Sequence, residues 1–293
     1  MSLDQSKLPP MPRPGSILLC PPDHFDVVDE KNPFMRGQAG HVDHARAAAQ
    51  WQKLRGCFES LGYPVCQVAP TLGCEDMVFA ANQTLTGLLP SGRRAAILSN
   101  MKHASRQREV PAFAQWLREV GYEVLSLGDP NLCFEGAGDA LWHPGRRLLW
   151  GGIGRRTETA AYEHVAELFD VPVVLLPIRD MRFYHLDTCF MPLDERTALV
   201  IDEAFDASVR IRIDRFFERV LDVPMDEAVG HLAANVTALP DRKRPDKTHV
   251  LLTAGARRTA ELLKGLGYAV HELEMSEFQK SGGSVFCLKQ YLW

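Results

Sequence analysis

The sequence predicts an α/β protein built as a five-bladed α/β propeller, a ring of strand-rich units each carrying one outer helix. Three observations lead there. The same unit recurs along the chain, an amphipathic helix followed by a short turn and a β-rich strand. The turns begin at residues 62, 121, 170, 222 and 267, a period of roughly fifty residues that marks circular or solenoid architectures. Further strands lie between each turn and the next helix, so the repeat is more than a simple βαβ crossover.

In chain order, the helix expected over Ala45–Leu61 runs into Gly62-Tyr63-Pro64-Val65, that over Val110–Val120 into Gly121-Tyr122-Glu123-Val124, and that over Arg257–Leu266 into Gly267-Tyr268-Ala269-Val270. The glycine suits the left-handed position at a helix C-terminus, and the tyrosine and valine start the strand. Two copies use Asp-Val-Pro instead: Thr157–Phe169 into Asp170-Val171-Pro172-Val173, and Ser208–Leu221 into Asp222-Val223-Pro224-Met225. Strands are expected at Met77–Ala80, Thr84–Leu88, Ala95–Ser99, Leu141–His143, Leu148–Gly151, Thr188–Pro192, Thr197–Ile201 and Val250–Thr253. A last short strand should close on Cys287, after Ser281-Gly282-Gly283. A doubly wound nucleotide-binding sheet fits less well. Gly151-Gly152-Ile153-Gly154 lacks the G-x-G-x-x-G spacing and the later acidic partner.

With 293 residues, of which 46% are hydrophobic, the chain can bury a large core. Residues 1–15 read as a proline-rich tail and 16–293 as a single catalytic domain. The net charge of −4 and the absence of a basic stripe argue against nucleic acid as a partner. Arg242–Lys247 reads as a solvated loop. No long apolar run suits a membrane, and the N-terminus does not read as a signal peptide, so the expected location is cytoplasmic. Homo-oligomerisation is left open. The seven cysteines include no C-x-x-C pair, so neither a disulfide framework nor a zinc site is indicated. His41-Val42-Asp43-His44 lacks a third ligand, and no metal or organic cofactor is expected.

In a ring of blades the loops at the strand ends face the axis, so chemistry should gather there. Those loops offer Asp76 and Asn82, Glu135 and Asp139, His185 and Asp187, and finally Cys287. A cysteine, a histidine and several carboxylates form a coherent set for a guanidinium group. That group is a planar cation whose forked N–H donors meet carboxylates by bidentate hydrogen bonds. Cys287 as thiolate would attack the central carbon. His185 would protonate the departing nitrogen and then activate water. Glu135, Asp76 and Asp187 would hold the fork.

Taken in order, the Glu135–Asp139 segment, His185-Leu186-Asp187-Thr188 and the Gly-Gly-x-x-x-Cys ending at Cys287 resemble the guanidino-group-modifying superfamily with the five-bladed (pentein) fold. Its members include arginine deiminases, dimethylarginine dimethylaminohydrolases, arginine dihydrolases and amidinotransferases. The resemblance implies Cys287 as nucleophile, His185 as general acid/base, and Glu135, Asp76 and Asp187 as guanidine-binding carboxylates. It places Arg106 and Arg156 near the substrate α-carboxylate. Glu-Gly-Ala-Gly-Asp is one residue longer than the superfamily pattern, which leaves the role of Asp139 open. Asn82 stands where a carboxylate is usual, and with Cys20–Asp26 and Asn32–Met35 it looks most like the dihydrolase branch. The implied partner is a small guanidino substrate, arginine or an N-methylated arginine. The alternatives are transfer of the amidino group to an amine and a non-catalytic binding protein of the same fold. Asn32–Gly40 is the expected lid.

Overall fold

The computed structural model describes residues 7–244 and 246–293. It contains five three-stranded sheets, each a blade with the same internal order: an inner strand antiparallel to a middle strand, and an outer strand parallel to it after a helix. The first blade joins the two ends of the chain. β1 (Ser16–Leu19) pairs with β2 (Val65–Gln67) on one side and with the C-terminal strand on the other. The second blade holds β3 (Thr84–Leu88), β4 (Arg94–Leu98) and β5 (Glu123–Leu125). The third holds β6 (Ala140–Trp142), β7 (Leu149–Ile153) and β8 (Val173–Pro177). β9 (Phe190–Pro192), β10 (Thr197–Val200) and β11 (Arg219–Asp222) make the fourth, and β12 (Thr237–Pro240), β13 (Thr248–Thr253) and β14 (Ala269–Leu273) the fifth. β15 (Lys289–Leu292) then closes the circle on β1, Ser16 opposite Leu292.

Between the middle and outer strands lie the helices His44–Ser60, Val110–Glu119, Ala161–Phe169, Ala207–Asp214 and Arg257–Gly265. Each buries one stripe. In the first, Trp51, Leu54 and Phe58 at helical spacing are almost fully buried, worth about 1.5–3 kcal/mol per large apolar side chain. Asp43 caps its start by accepting from the Arg46 N–H at 3.0 Å. The Gly-Tyr turns end as expected, with Gly62, Gly121 and Gly267 at φ of 81°, 85° and 90°, where a Cβ would be strained. In the third blade Asp170 takes that conformation instead, φ 48°.

Three expectations are corrected. The helix expected to run to Leu221 ends at Asp214, and Arg219–Asp222 is the outer strand β11. Val209, Ile213 and Phe217 are buried at helical spacing, so the apolar period carries on past the residue where the helix stops. Asp222-Val223-Pro224 therefore ends a strand, and a helix, Met225–His231, follows. Met77–Ala80 forms turns, held by Met77 N–H to Cys74 O and Phe79 N–H to Asp76 O. The segment before Cys287 is also turns: Gly282 sits at φ 82°, and the strand begins only at Lys289. Both apolar runs are buried because they pack at the hub, where burial requires no ladder. Arg242 and Arg244 are exposed in a loop, Arg244 paired with Asp241 at 3.3 Å. Of the expected tail, residues 1–6 lie outside the described residues, and 9–11 pair with 145–147 of the third blade. No described helix is long and apolar enough to cross a membrane.

Candidate active site

The loop preceding each inner strand turns toward the ring axis, and the five loops join in a closed circuit of hydrogen bonds. Ala81 N–H, before β3, donates to Cys287 O at 3.1 Å, and Ala137 N–H, before β6, donates to Ala81 O at 2.9 Å. Leu186 N–H, before β9, donates to Asp139 Oδ1 at 2.9 Å. Asn235 Nδ2, before β12, donates to Asp187 O at 3.0 Å. Cys287 N–H, before β15, returns the circuit to Asn235 Oδ1 at 3.2 Å. The circular pairing of blades thus fixes where the side chains of these loops can go.

They go to one buried cluster. Cys287, His185, Asp187, Glu135, Asn82, Asp76 and Asp139 are each no more than 2% exposed. His185 Nε2 lies 2.6 Å from Glu135 Oε2, which also accepts from Arg156 at 2.9 Å. The second Glu135 oxygen accepts from the Lys102 N–H at 3.0 Å. Burial alone would raise the Glu135 pKa, but the Arg156 guanidinium and the His185 imidazole hold it well below the usual range. With Nε2 facing a carboxylate, the other imidazole nitrogen looks toward Asn82 Nδ2 at 3.5 Å. Two positions beyond His185, Asp187 Oδ2 lies 3.1 Å from Cys287 Sγ. One short 3-10 turn, Leu186–Thr188, therefore links the imidazole to the sulfur.

The surroundings of the thiol favour its protonated form. Burial and the Asp187 carboxylate push the Cys287 pKa up, opposed by hydrogen bonds from the Ser284 backbone and the Asn235 amide. Burial also brings Asp187 to about 7, opposed by its hydrogen bonds with Cys287 and Asn235. A cation seated here would relieve both, since positive charge favours carboxylate and thiolate together.

The remaining expected residues surround this cluster. Asp139, also raised by burial, to about 6, accepts from Thr157 Oγ1 at 2.6 Å and from the Leu186 N–H. It braces the loop that carries His185. Asp76 accepts from Ser281 Oγ at 2.9 Å and pairs with Lys31 at 3.1 Å. Arg106 is wholly engaged within the protein. It pairs with Glu109 at 3.1 Å and donates to Asn82 Oδ1 at 3.0 Å and Asp76 O at 3.2 Å. Arg156 donates to Lys31 O at 2.8 Å as well as to Glu135, and its guanidinium lies over the Tyr184 ring at 5.1 Å. In the expected lid, Asn32 Nδ2 donates to Ser281 O at 2.9 Å, and Gly37 and Gly40 take positive φ. His41 and His44 are exposed beside this segment.

Sequence reading missed Asn235, Glu109, Lys31 and Lys289. Asn235 was findable, since it sits before β12 where the other blades place their polar residues. Glu109 and Lys31 read as ordinary surface charges until the fold buries them. Lys289 is fully buried, its Nζ without a hydrogen-bond partner, 3.3 and 3.4 Å from the Phe286 and Tyr291 ring centres.

A propeller of five three-stranded blades whose axial loops gather sulfur, imidazole and carboxylates is the arrangement of the superfamily that modifies guanidino groups, and the chain falls in that class. It belongs, more narrowly, to the family described as N,N dimethylarginine dimethylhydrolase, eukaryotic, whose model matches residues 22–291. The chain is 38% identical over 276 residues to the bifunctional arginine dihydrolase/ornithine cyclodeaminase ArgZ of Synechocystis sp. That match covers 93% of this chain and 37% of the relative, so the chain spans little over a third of that protein. It is 32% identical over 276 residues to the N(G),N(G)-dimethylarginine dimethylaminohydrolase of Mycobacterium tuberculosis, covering 94% of this chain and 85% of that one. Among solved structures it is similar to the N-terminal domain of ArgZ, an arginine dihydrolase from Cyanobacteria, in a cysteine-to-serine variant bound to substrate. The TM-score is 0.86 with 36% identity, covering 94% of this chain and 97% of that one.

Proposed function

We propose that this chain hydrolyses the guanidino group of arginine by covalent cysteine catalysis and carries the reaction through to ornithine. Substrate binding brings a guanidinium to the Asp187 and Glu135 carboxylates. The thiol proton passes by way of Asp187 Oδ2, 3.1 Å from the sulfur, and the Cys287 thiolate attacks the guanidinium carbon. Ammonia departs with a proton supplied through His185, leaving an amidino thioether on sulfur. His185 then takes a proton from water as it attacks that carbon, the C–S bond breaks and citrulline forms; a second round on the ureido group releases its carbon as carbon dioxide with a second ammonia and leaves ornithine. The observation that carries this reading is the His185–Asp187 segment, with the Glu135 carboxylate at one end and the Cys287 sulfur at the other.

Asn82 favours arginine and a second hydrolytic round. Its neutral amide, with both a donor and an acceptor, can hold an uncharged ureido group better than a carboxylate can. The similarity to a dihydrolase domain at 36% identity over almost the whole of both chains supports the same choice. With the site sealed, entry requires a cover to move. We assign that role to Asn32–Gly40, joined to the site through Asn32 and Ser281. A cytoplasmic location fits a reaction on a free amino acid.

The test is to incubate the protein with arginine, citrulline and dimethylarginine and to assay ammonia, dimethylamine, citrulline and ornithine. The expected products from arginine are ornithine, carbon dioxide and two equivalents of ammonia. Dimethylamine from dimethylarginine, with arginine untouched, would overturn the substrate assignment.

A further inference from the structure

Four of the five axial loops contribute residues to the chemistry proposed above, and the fifth contributes Asn235. Its side chain is fully buried and every donor and acceptor on it is used. Nδ2 donates to Asp187 O at 3.0 Å and to Cys287 Sγ at 3.1 Å. Oδ1 accepts from the N–H groups of Phe286 and Cys287 at 3.1 and 3.2 Å. One amide therefore fixes the backbone on which the nucleophile sits, touches its sulfur, and ties both to the neighbouring carboxylate segment.

The chain is bent to put that amide in place. The helix Met225–His231 ends at Leu232, which adopts the left-handed conformation at φ 51° and ψ 46°. For a branched aliphatic residue this costs on the order of 1–3 kcal/mol, a strain that persists only where its surroundings enforce it. Here Asn235 N–H donates to Leu232 O at 2.9 Å, and Ala233 and Ala234 are both fully buried. The turn fixes the backbone at Asn235, and the four hydrogen bonds of its amide fix the side chain.

We propose that Asn235 is the positioning residue for the nucleophile, its amide holding Cys287 in the orientation for attack while an N–H stabilises negative charge on the sulfur. This rests on the covalent reading above. A donor 3.1 Å from sulfur favours thiolate over thiol, as hydrogen bonding to the charged form always does. It matters here because burial and Asp187 both push the other way. The other groups facing the thiol are Tyr184 and Asp187 from one segment and Lys289 from β15; Asn235 also hydrogen-bonds Asp187 and holds its pKa down, so losing the amide N–H moves Asp187 and the thiol in the same upward direction.

The experiment measures the rate of Cys287 alkylation by chloroacetamidine against pH in the full chain, alongside thermal melting. Asn235→Asp keeps the shape and replaces the N–H donor by a carboxylate oxygen. The alkylation midpoint is expected to rise by about one pH unit or more, which slows labelling roughly tenfold at pH values below it. The kcat on arginine should fall more than KM changes. An unmoved midpoint in a folded Asn235→Asp protein overturns the proposal. If that variant does not melt cooperatively, Asn235→Ser is read in the same way, a raised midpoint supporting the proposal and an unchanged one overturning it. Failure of the underlying reading shows separately, in wild-type protein: chloroacetamidine would then label other thiols in preference to Cys287, or leave turnover intact.

Discussion

His185 Nε2 and Glu135 Oε2 are 2.6 Å apart in the protein interior, and the same carboxylate oxygen accepts from Arg156 at 2.9 Å. One carboxylate thus orients the imidazole and neutralises a buried guanidinium, and mutagenesis can separate the two tasks. Glu135→Gln is expected to lower turnover by roughly 10²-fold or more. It should also lower stability by about 3 kcal/mol, because Arg156 is left buried without its counter-ion. Adding Arg156→Met to Glu135→Gln should recover much of the melting temperature and none of the activity. Recovery of turnover in the double variant would show that Glu135 serves only as a counter-ion.

Asp187 has two opposed effects, which predict a divergent phenotype. Its carboxylate holds the Cys287 thiol in its protonated form, and it is one of the groups assigned to the substrate cation. In Asp187→Asn the midpoint of Cys287 alkylation by a neutral reagent such as iodoacetamide should fall, while kcat/KM for arginine drops by about tenfold or more. A midpoint that rises would reverse the electrostatic assignment.

Much of this arrangement was legible from the chain. The repeat gave five blades, and the helix boundaries at Ser60, Glu119 and Gly265 fall within a residue or two of those read from the Gly-Tyr turns. The phase of the repeat pointed to Glu135, His185 and Cys287, and the fold brings the loops that carry them together. Reading failed where apolar character no longer meant regular structure. Val285, Phe286 and Cys287 are buried at the hub as turns, so a β-like composition there implied a strand that does not form. The charges that fold inward could not be read locally either. Glu109 is recognisable only once Arg106 is seen facing it across the junction of two helices, Ala104–Gln107 and Val110–Glu119, and Lys31 only beside Asp76. Asn235 escaped for a different reason: the fifth blade offered a lone amide among alanines, which looks like any turn residue.

The buried acids also set a pH dependence of stability. The Asp139 and Asp187 carboxyls lie at about 6 and 7 in the folded protein, above the ordinary value of about 3.9 for an unfolded aspartate. The folded state binds these protons more tightly, so their contribution is full below about pH 4 and is lost as pH rises through 6 and 7. Glu135 is depressed and acts in the opposite sense, its contribution present above about pH 4.3 and lost only in stronger acid. Urea midpoints should therefore decline from pH 5 to pH 8. Asp139→Asn should flatten part of that slope, and a midpoint rising over this range would contradict the account.

Packing around the imidazole gives a further test. A Cβ at Gly138 would clash with Asn82 Nδ2 and lie 3.1 Å from His185 Nδ1, so Gly138→Ala must displace one of them. Positioning errors of this size cost about 10²-fold in rate. The variant should therefore lose activity by more than tenfold, and a Gly138→Ala protein with wild-type kcat would mean that the Asn82–His185 contact is dispensable.

The central claim is that the Cys287 sulfur carries the substrate's carbon between the half-reaction that expels ammonia and the half-reaction that hydrolyses the thioether. The direct measurement is acid-quench mass spectrometry of the protein in steady-state turnover with arginine, followed by peptide mapping. The account predicts an amidino-type adduct on the peptide containing Cys287, abolished together with turnover in Cys287→Ser. An adduct on a different cysteine, or a Cys287→Ser protein that still converts arginine at the wild-type rate, would contradict it.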